Sequence, residues 1–349
     1  MFASCHVEAL GFFDPAIRAA DRSEKLLLHK KAGPERDSGG LGRRHIVGSW
    51  GIGLYSNDFS QDLRSSVKAV ARLPFEPERL LDQLCSIERG AANEARDPDH
   101  TVFWLVVADQ FAARGIDCPR ARERALEIIS AGTDLAAMQA LGMDPKLLAK
   151  RRRMLEALGA RLAAPPDPAK RRAVLKTPQR LLLEVGEIVI YPVCKGKPIN
   201  PYAVGKEWAW VKAWQQDGWG ALVITERGHM FDFLAWYRPL VINDPLASEP
   251  SLEELMATRS WVLRNPGTLT ARHLGNMQMR SLGRIAIGAE RFDRCFARRS
   301  SPLRCVVSDI SLCNNMGIHP LGAQEAPRVR HGYPPTPLIE RLSEIVADA

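Results

Sequence analysis

The sequence predicts an α+β protein in which an all-α N-terminal domain is followed by a small antiparallel β barrel or sheet and a mixed C-terminal extension. Three observations support this fold class. Residues 47–164 repeat apolar side chains at helical spacing. Residues 181–245 contain short β-branched runs between turn residues, and they hold five of the eight tryptophans. Residues 246–349 have apolar side chains but no clear core of their own, so we expect them to pack on the β module.

The first 46 residues differ from the rest of the chain. They end in a polar, glycine-rich tract and show no sustained apolar period, so we expect no stable fold there. A second interpretation is that translation starts at Val47 and that residues 1–46 are an upstream segment read into the sequence.

Six helices are predicted in the N-terminal domain, beginning near Asp58, Pro77, His100, Pro119, Thr133 and Pro145. The first is expected to be capped by Asp58 with Gln61 as its capping-box partner. The third has a near-continuous apolar run and is predicted to be the most buried. In the sixth, the run Lys150, Arg151, Arg152 and Arg153 is expected to face largely outward. Residues 165–180 then read as a basic, proline-rich linker.

The β module is predicted to contain strands at residues 186–193, 220–227 and 230–237. Residues 197–218 form an insertion whose tryptophans fit neither a helix nor a strand period. In the extension we expect a helix at residues 251–258, a strand at 304–310 and a last helix near 337–346.

The stretch WGIGLYSND comprises Trp50, Gly51, Gly53, Asn57 and Asp58 and the residues between them. With the helices up to residue 111, it resembles an uncharacterised bacterial domain-of-unknown-function family with an N-terminal WGxGxxxND signature. The resemblance covers about a third of the chain and implies a helical fold without an assigned activity. We interpret the five signature residues as structural. Because the signature normally opens the protein, the 49 residues before Trp50 depart from the family pattern.

The β-module sequence from residue 185 to residue 240 is similar to the small β-barrel immunity proteins of polymorphic toxin systems. Those proteins have a glycine–aspartate strand start, where this chain has Gly186 and Glu187. The resemblance implies a partner protein rather than a substrate.

Cysteine usage and hydropathy indicate a cytoplasmic protein without a metal or cofactor. The seven cysteines are scattered and never spaced as CxxC, so neither a disulfide framework nor a zinc ribbon is expected. The grouping of Cys305, Cys313 and His319 also matches no usual zinc spacing. No apolar run approaches the roughly 20 residues of a membrane span, and no export signal is recognisable.

Catalytic motifs are weak, which favours a protein that is not an enzyme. The sequence has no GxSxG, HExxH, phosphate-binding or dinucleotide-binding motif. His100 and Asp109 are nine positions apart, on opposite sides of one helix, so they cannot form an acid–base pair directly. We therefore expect His100 to be a surface or first-turn residue. A hydrolase of unknown substrate ranks third among the functions considered.

The leading hypothesis is a non-catalytic protein-binding protein of immunity or interaction type. Its candidate surface combines aromatic and arginine side chains, namely Tyr202, Trp208, Trp210, Trp214, Arg227 and Arg238. Trp219 and Trp236 are instead expected in the core.

The alternative is nucleic-acid binding through two basic stretches. Residues 145–180 have eleven Lys or Arg against two acids, and residues 272–304 have eight arginines against two acids. The candidate contacts are Lys150, Arg151, Arg152, Arg153, Arg280, Arg284, Arg298 and Arg299. The sequence leaves the oligomeric state open.

Overall fold

The computed structural model describes residues 51–165, 167, 169–201, 214–257, 260–297, 299, 301–307, 312, 316 and 338–347, without the side chains of residues 304 and 305. Over these residues the chain is α+β, as predicted, with a helical N-terminal part and an antiparallel sheet. Residues 1–50 lie outside the described part, and so does the prediction made for them.

The helical part contains α1 (Asp58–Val70), α2 (Pro77–Ile87), α3 (Arg89–Asn93), α4 (His100–Ala113), α5 (Pro119–Ala131), α6 (Thr133–Ala140) and α7 (Pro145–Ala163). Helix α4 is central: every residue from Val102 to Phe111 is buried, which confirms the prediction for this segment. Gly132 ends α5 in the left-handed conformation, with φ of 65°. The short helix α3 was not predicted, because five residues are too few to show a helical period.

The predicted cap of α1 was wrong by one residue. Asn57 has extended backbone angles, and its side-chain oxygen accepts a hydrogen bond from the Ser60 amide at 2.7 Å. The Asn57 amide in turn donates to the Ser60 hydroxyl at 3.4 Å, which completes the capping box. Asp58 is the first helical residue, where the positive end of the helix dipole stabilises its negative charge.

The sheet contains β1 (Glu187–Cys194), β2 (Lys197–Pro198), β3 (Gly218–Met230), β4 (Leu234–Ile242), β5 (Trp261–Leu263), β6 (Arg280–Arg284) and β7 (Leu338–Ile339). The strand order is β2-β1-β3-β4-β5-β7, and β6 pairs with β1. In the described residues the sheet is open, so the structure has the sheet form of the prediction and no closed barrel. Tyr191, Tyr237 and Trp261 are fully buried in its core.

The C-terminal extension contains α8 (Leu252–Ala257), α9 (Ala271–Asn276), α10 (Ala289–Cys295), α11 (Pro302–Val307) and a 3-10 turn (Leu342–Glu344). The predicted strand from residue 304 was wrong: Pro302 begins a helix, and Val306 and Val307 pack in the helical core. The predicted last helix was also wrong, because Leu338–Ile339 pairs with β5 before the 3-10 turn. Elsewhere the extension packs on the sheet through Phe292 and Leu342, among others.

The β3–β4 hairpin reaches into the helical core. Leu234 belongs to that core, and Phe233 meets Phe75 edge to face with ring centroids 6.3 Å apart. The basic segment predicted as a linker is hydrogen-bonded along the same contact. The Leu175 amide donates to the Arg72 carbonyl at 2.8 Å, and the Gln179 amide donates to the Phe233 carbonyl at 2.9 Å. The helical part and the sheet are therefore joined by shared packing as well as by the chain.

None of the helices in the described part of the chain is long and apolar enough to span a membrane.

Candidate functional site

Helix α7 presents a row of basic side chains to solvent. Pro145 occupies its first helical position, and the Asp144 side chain caps it by accepting from the Lys146 amide at 2.8 Å. The inward side buries Leu155, Leu158 and Leu162, which fixes the rotation of the helix. The residues on the opposite side are consequently exposed.

We define the basic face as Lys146, Lys150, Arg153 and Arg161, all of which are exposed. At 3.6 residues per turn these four positions fall within an arc of about 80°, along roughly 22 Å of helix. In the described part of the chain, no carboxylate forms an ion pair with Lys146, Lys150 or Arg153, whereas Arg161 pairs with Asp109. Arg152 is exposed as well but lies outside this arc.

Arg151 does not face outward, which corrects the prediction for the run of four basic residues. Its side chain is only 4% exposed, and its Nε and Nη2 donate to the Asp134 carboxylate at 2.6 and 2.9 Å. Its Nη1 donates to the Ile52 carbonyl at 3.2 Å. The reason is helical periodicity, since Arg151 shares the inward side with Leu155 and Leu158. Arg151 is therefore a structural residue and is not available to a ligand.

The loop of residues 51–57 before α1, called the signature loop below, is held against the helices through Arg151 and Tyr55. Arg151 binds the Ile52 carbonyl, and the Tyr55 hydroxyl donates to Oδ2 of Asp109 on α4. Burial raises the pKa of Tyr55 well above its ordinary range, and the bond to Asp109 adds to the shift. The phenol therefore stays protonated and acts as a donor. The loop includes Gly51 and Gly53 and ends at Asn57, which caps α1, and Asp58 is the first residue of that helix. Trp50 lies outside the described residues.

Three arginines contact Asp109 or its hydrogen-bonded neighbours Gln110 and Tyr55 at one end of the basic face. Arg161 donates to Oδ1 of Asp109, and Arg114 Nη1 donates to the Gln110 side-chain oxygen at 2.6 Å. The Arg64 guanidinium lies 5.1 Å from the centre of the Tyr55 ring. Burial lowers the pKa of Arg114.

The structure does not pair His100 with Asp109. His100 is buried in the first turn of α4 rather than exposed, with Nδ1 2.8 Å from the Ala91 carbonyl. Because a carbonyl only accepts, Nδ1 carries the proton, and Nε2 then accepts from Arg124 at 3.3 Å. Both ring nitrogens are thus used in structural hydrogen bonds.

The second basic stretch is more neutralised than the first. Arg280 pairs with Glu249 and lies over the Trp219 ring at 5.4 Å. Arg299 pairs with Glu226 at 2.7 Å and with Asp293 at 2.9 Å. Arg284 Nε donates to a backbone carbonyl at 2.8 Å. Arg298 lies outside the described residues. These contacts involve Arg280, Arg284 and Arg299, whereas Arg272 and Arg294 are exposed.

The predicted aromatic surface falls largely outside the described residues. Tyr202, Trp208 and Trp210 belong to residues 202–213, which are not described, and Trp214 is half-buried.

Arg238 is 3% exposed and donates to Glu226 at 2.5 Å, so it does not form part of a surface. Its place in the middle of the sheet explains the burial. Arg227 donates to Glu184 at 2.6 Å. Trp219 and Trp236, predicted as core, are half-buried, and each packs against one of the two apolar cores.

The buried thiols of Cys85 and Cys118 are poor nucleophiles. Burial raises the pKa of Cys85 to about 11 and that of Cys118 to about 12, so both are protonated near neutral pH. Over the described residues, no group of three or more His, Cys, Asp or Glu side chains could hold a metal ion. Cys313 and His319 lie outside that part of the chain.

The sequence did not single out two members of the basic face, nor the residues that hydrogen-bond to the side chains of α7 and α4. Lys146 and Arg161 share the spacing of Lys150 and Arg153 on a helix, so a helical projection identifies them, whereas a search for consecutive basic residues does not. The partners Tyr55 and Asp134 come from other elements, and no local signal in the sequence points to them.

Comparison of the chain with protein-family models, with curated proteins and with solved structures returned no match.

Proposed function

We propose that this protein binds nucleic acid through the phosphate backbone, using the basic face of α7. The observation that supports this proposal is the exposed row of Lys146, Lys150 and Arg153, none of which forms an ion pair with a carboxylate in the described part of the chain. Duplex DNA has one negative charge per about 1.7 Å of its axis, so a cationic row of roughly 22 Å faces many phosphates at once. Contacts of this kind give affinity without reading sequence.

The described surface favours nucleic acid over a protein partner. Protein interfaces are usually centred on aromatic or arginine side chains packed in a desolvated, apolar patch. The exposed large apolar side chains of the described chain are all aliphatic, namely Leu141, Leu147, Val174, Leu252 and Leu338. A cationic row without an aromatic anchor fits a phosphate backbone better.

The test is the fluorescence anisotropy of labelled 20-nucleotide single strands and duplexes, titrated with protein from 25 to 300 mM salt. Four phosphate contacts predict a log–log slope of about −3 to −4, because each contact contributes roughly 0.7 to 0.9. The triple variant Lys146→Gln, Lys150→Gln, Arg153→Gln should lose about two to three units of that slope.

The matched control is Arg272→Gln, Arg284→Gln, Arg294→Gln, which removes the same charge from exposed positions of the second basic stretch. Net charge falls from +8 to +5 in both variants. We expect the control to keep most of the slope. Equal losses in the two variants would mean that overall charge, rather than the basic face, attracts the nucleic acid. No binding by the wild-type protein at the lowest salt would overturn the proposal.

Protein binding through the tryptophan-rich insertion stays a prediction, because residues 202–213 lie outside the described part of the chain. The resemblance to immunity proteins and the cytoplasmic location also stay predictions. Affinity capture with the full chain, followed by mass spectrometry and nucleic-acid sequencing, distinguishes the two kinds of partner.

A further inference from the structure

The basic face contains one side chain that is held in place, Arg161, and three that are not. We infer that Arg161 is the pre-oriented phosphate contact of this face and that Asp109 and Tyr55 are its positioning residues. This inference rests on the proposed function and deepens it, because it names the contact that sets where a phosphate sits.

Arg161 is both restrained and accessible. One of its guanidinium nitrogens donates to Oδ1 of Asp109, and the side chain is 54% exposed. A guanidinium group has five N–H donors in a fixed planar fork, so most of its donors stay available after one carboxylate contact. A phosphate oxygen can therefore bind Arg161 while Asp109 keeps the fork oriented.

Asp109 is itself fixed by donors on its other oxygen. Its side chain is 12% exposed, and Oδ2 accepts from the Tyr55 hydroxyl and from Gln110 Nε2, the latter at 3.1 Å. Gln110 is held in turn by Arg114 at 2.6 Å. Because these bonds occupy Oδ2, the remaining oxygen is directed at Arg161. The orientation of Arg161 thus depends on a hydrogen-bonded chain that begins at Tyr55.

The signature loop supplies that first member. Tyr55 follows Ile52, whose carbonyl is held by the buried Arg151 at 3.2 Å. Lys146, Lys150 and Arg153 have no comparable restraint in the described chain and must be ordered when a ligand binds, which costs side-chain entropy. A pre-oriented arginine avoids most of that cost, so it contributes more to affinity than its single charge suggests.

Two substitutions separate positioning from simple attraction between charges. Asp109→Asn raises the net charge by one, so attraction alone predicts tighter binding, whereas loss of positioning predicts weaker binding. Tyr55→Phe leaves the charge unchanged, so attraction alone predicts no effect. We expect both variants to bind the single-stranded 20-mer three- to tenfold more weakly in 100 mM salt, with the salt slope of Tyr55→Phe unchanged. Tyr191→Phe is the matched control, since it removes a buried hydroxyl from the sheet core and should leave affinity unchanged.

Coupling and folding complete the test. Arg161→Lys keeps the charge but loses the planar fork, so it should weaken binding as much as Tyr55→Phe, and the double variant should be little weaker than either single one. Thermal unfolding checks each variant. If Asp109→Asn and Tyr55→Phe both fail to fold, the affinity of Arg161→Lys, a change at a half-exposed position, tests the positioning role. Unchanged or tighter binding by the folded variants overturns the positioning role while the proposed function stands. Absence of wild-type binding overturns both.

Discussion

Removing the carboxylate of the buried Asp134–Arg151 pair should strongly destabilise the protein. Asp134 is fully buried and Arg151 is 4% exposed, and the two side chains are joined by bonds of 2.6 and 2.9 Å. Asp134→Ala leaves a buried guanidinium group without its counter-charge. Breaking one partner of such a pair typically costs about 3–5 kcal/mol. The substitution also removes the Thr101 hydroxyl bond to Asp134 at 3.3 Å. We therefore expect a loss in the upper part of that range.

Urea denaturation followed by circular dichroism measures the free energy of unfolding. Asp117→Ala is the matched control, because it breaks the exposed Asp117–Arg122 pair, whose contact is 2.5 Å. Exposed pairs contribute about 0–1 kcal/mol. The double variant Asp134→Leu, Arg151→Met should recover much of the loss, since an apolar pair needs no counter-charge. A cost below about 1 kcal/mol for Asp134→Ala, equal to that of the control, would refute the assignment of Arg151 as a buried structural residue.

Two further predictions concern the segment after α7 and the thiols. Gly115 and Gly132 both have φ of 65°, but a Cβ at Gly115 would lie 2.1 Å from the Lys170 carbonyl oxygen, whereas a Cβ at Gly132 has no atom within 4 Å. Gly132→Ala should therefore cost about 1–2 kcal/mol of left-handed strain in urea denaturation, and Gly115→Ala clearly more. Equal costs would show that Lys170 does not lie against Gly115. For the thiols, burial raises the pKa of Cys118 from its ordinary 9.0 to about 12, so the protonated thiol stabilises the folded state below pH 9, and this contribution is lost as the pH rises from about 9 towards 12. Cys118→Ala should flatten the decline of stability over that pH range, and an unchanged decline would contradict the burial of the thiol.

Local features of the fold could be predicted from the sequence because local chemistry decides them. Pro77, Pro119 and Pro145 begin helices, since a first-turn proline loses no hydrogen bond. The apolar run of α4 and the β-branched runs of β1 and β3 identified three elements that each bury six or more residues. The cap of α1 was missed by one residue because Asn57 and Asp58 are both good caps, and only the backbone angles distinguish them.

Features that depend on distant contacts could not be predicted. The β3–β4 hairpin has ordinary strand composition, and nothing local shows that Leu234 packs with the helices rather than with the sheet. The segment after Pro302 has β-branched residues that favour a strand. It nevertheless forms a helix, and Val306 and Val307 on this helix pack in the helical core. Tertiary packing outweighed intrinsic propensity in this segment.

The run from Lys150 to Arg153 shows why the candidate site was only partly predictable. A count of charges treats its four members alike, yet a helix turns by about 100° per residue, so four consecutive side chains cannot share one face. Lys150 and Arg153 point to solvent, while Arg151 is buried against Asp134 and binds the signature loop. The same loop holds Tyr55 against Asp109, and Asp109 contacts Arg161. The buried Arg151 thus binds this loop directly, and the exposed Arg161 is connected to it through Asp109 and Tyr55, which links the loop to the basic face through contacts that composition alone does not indicate.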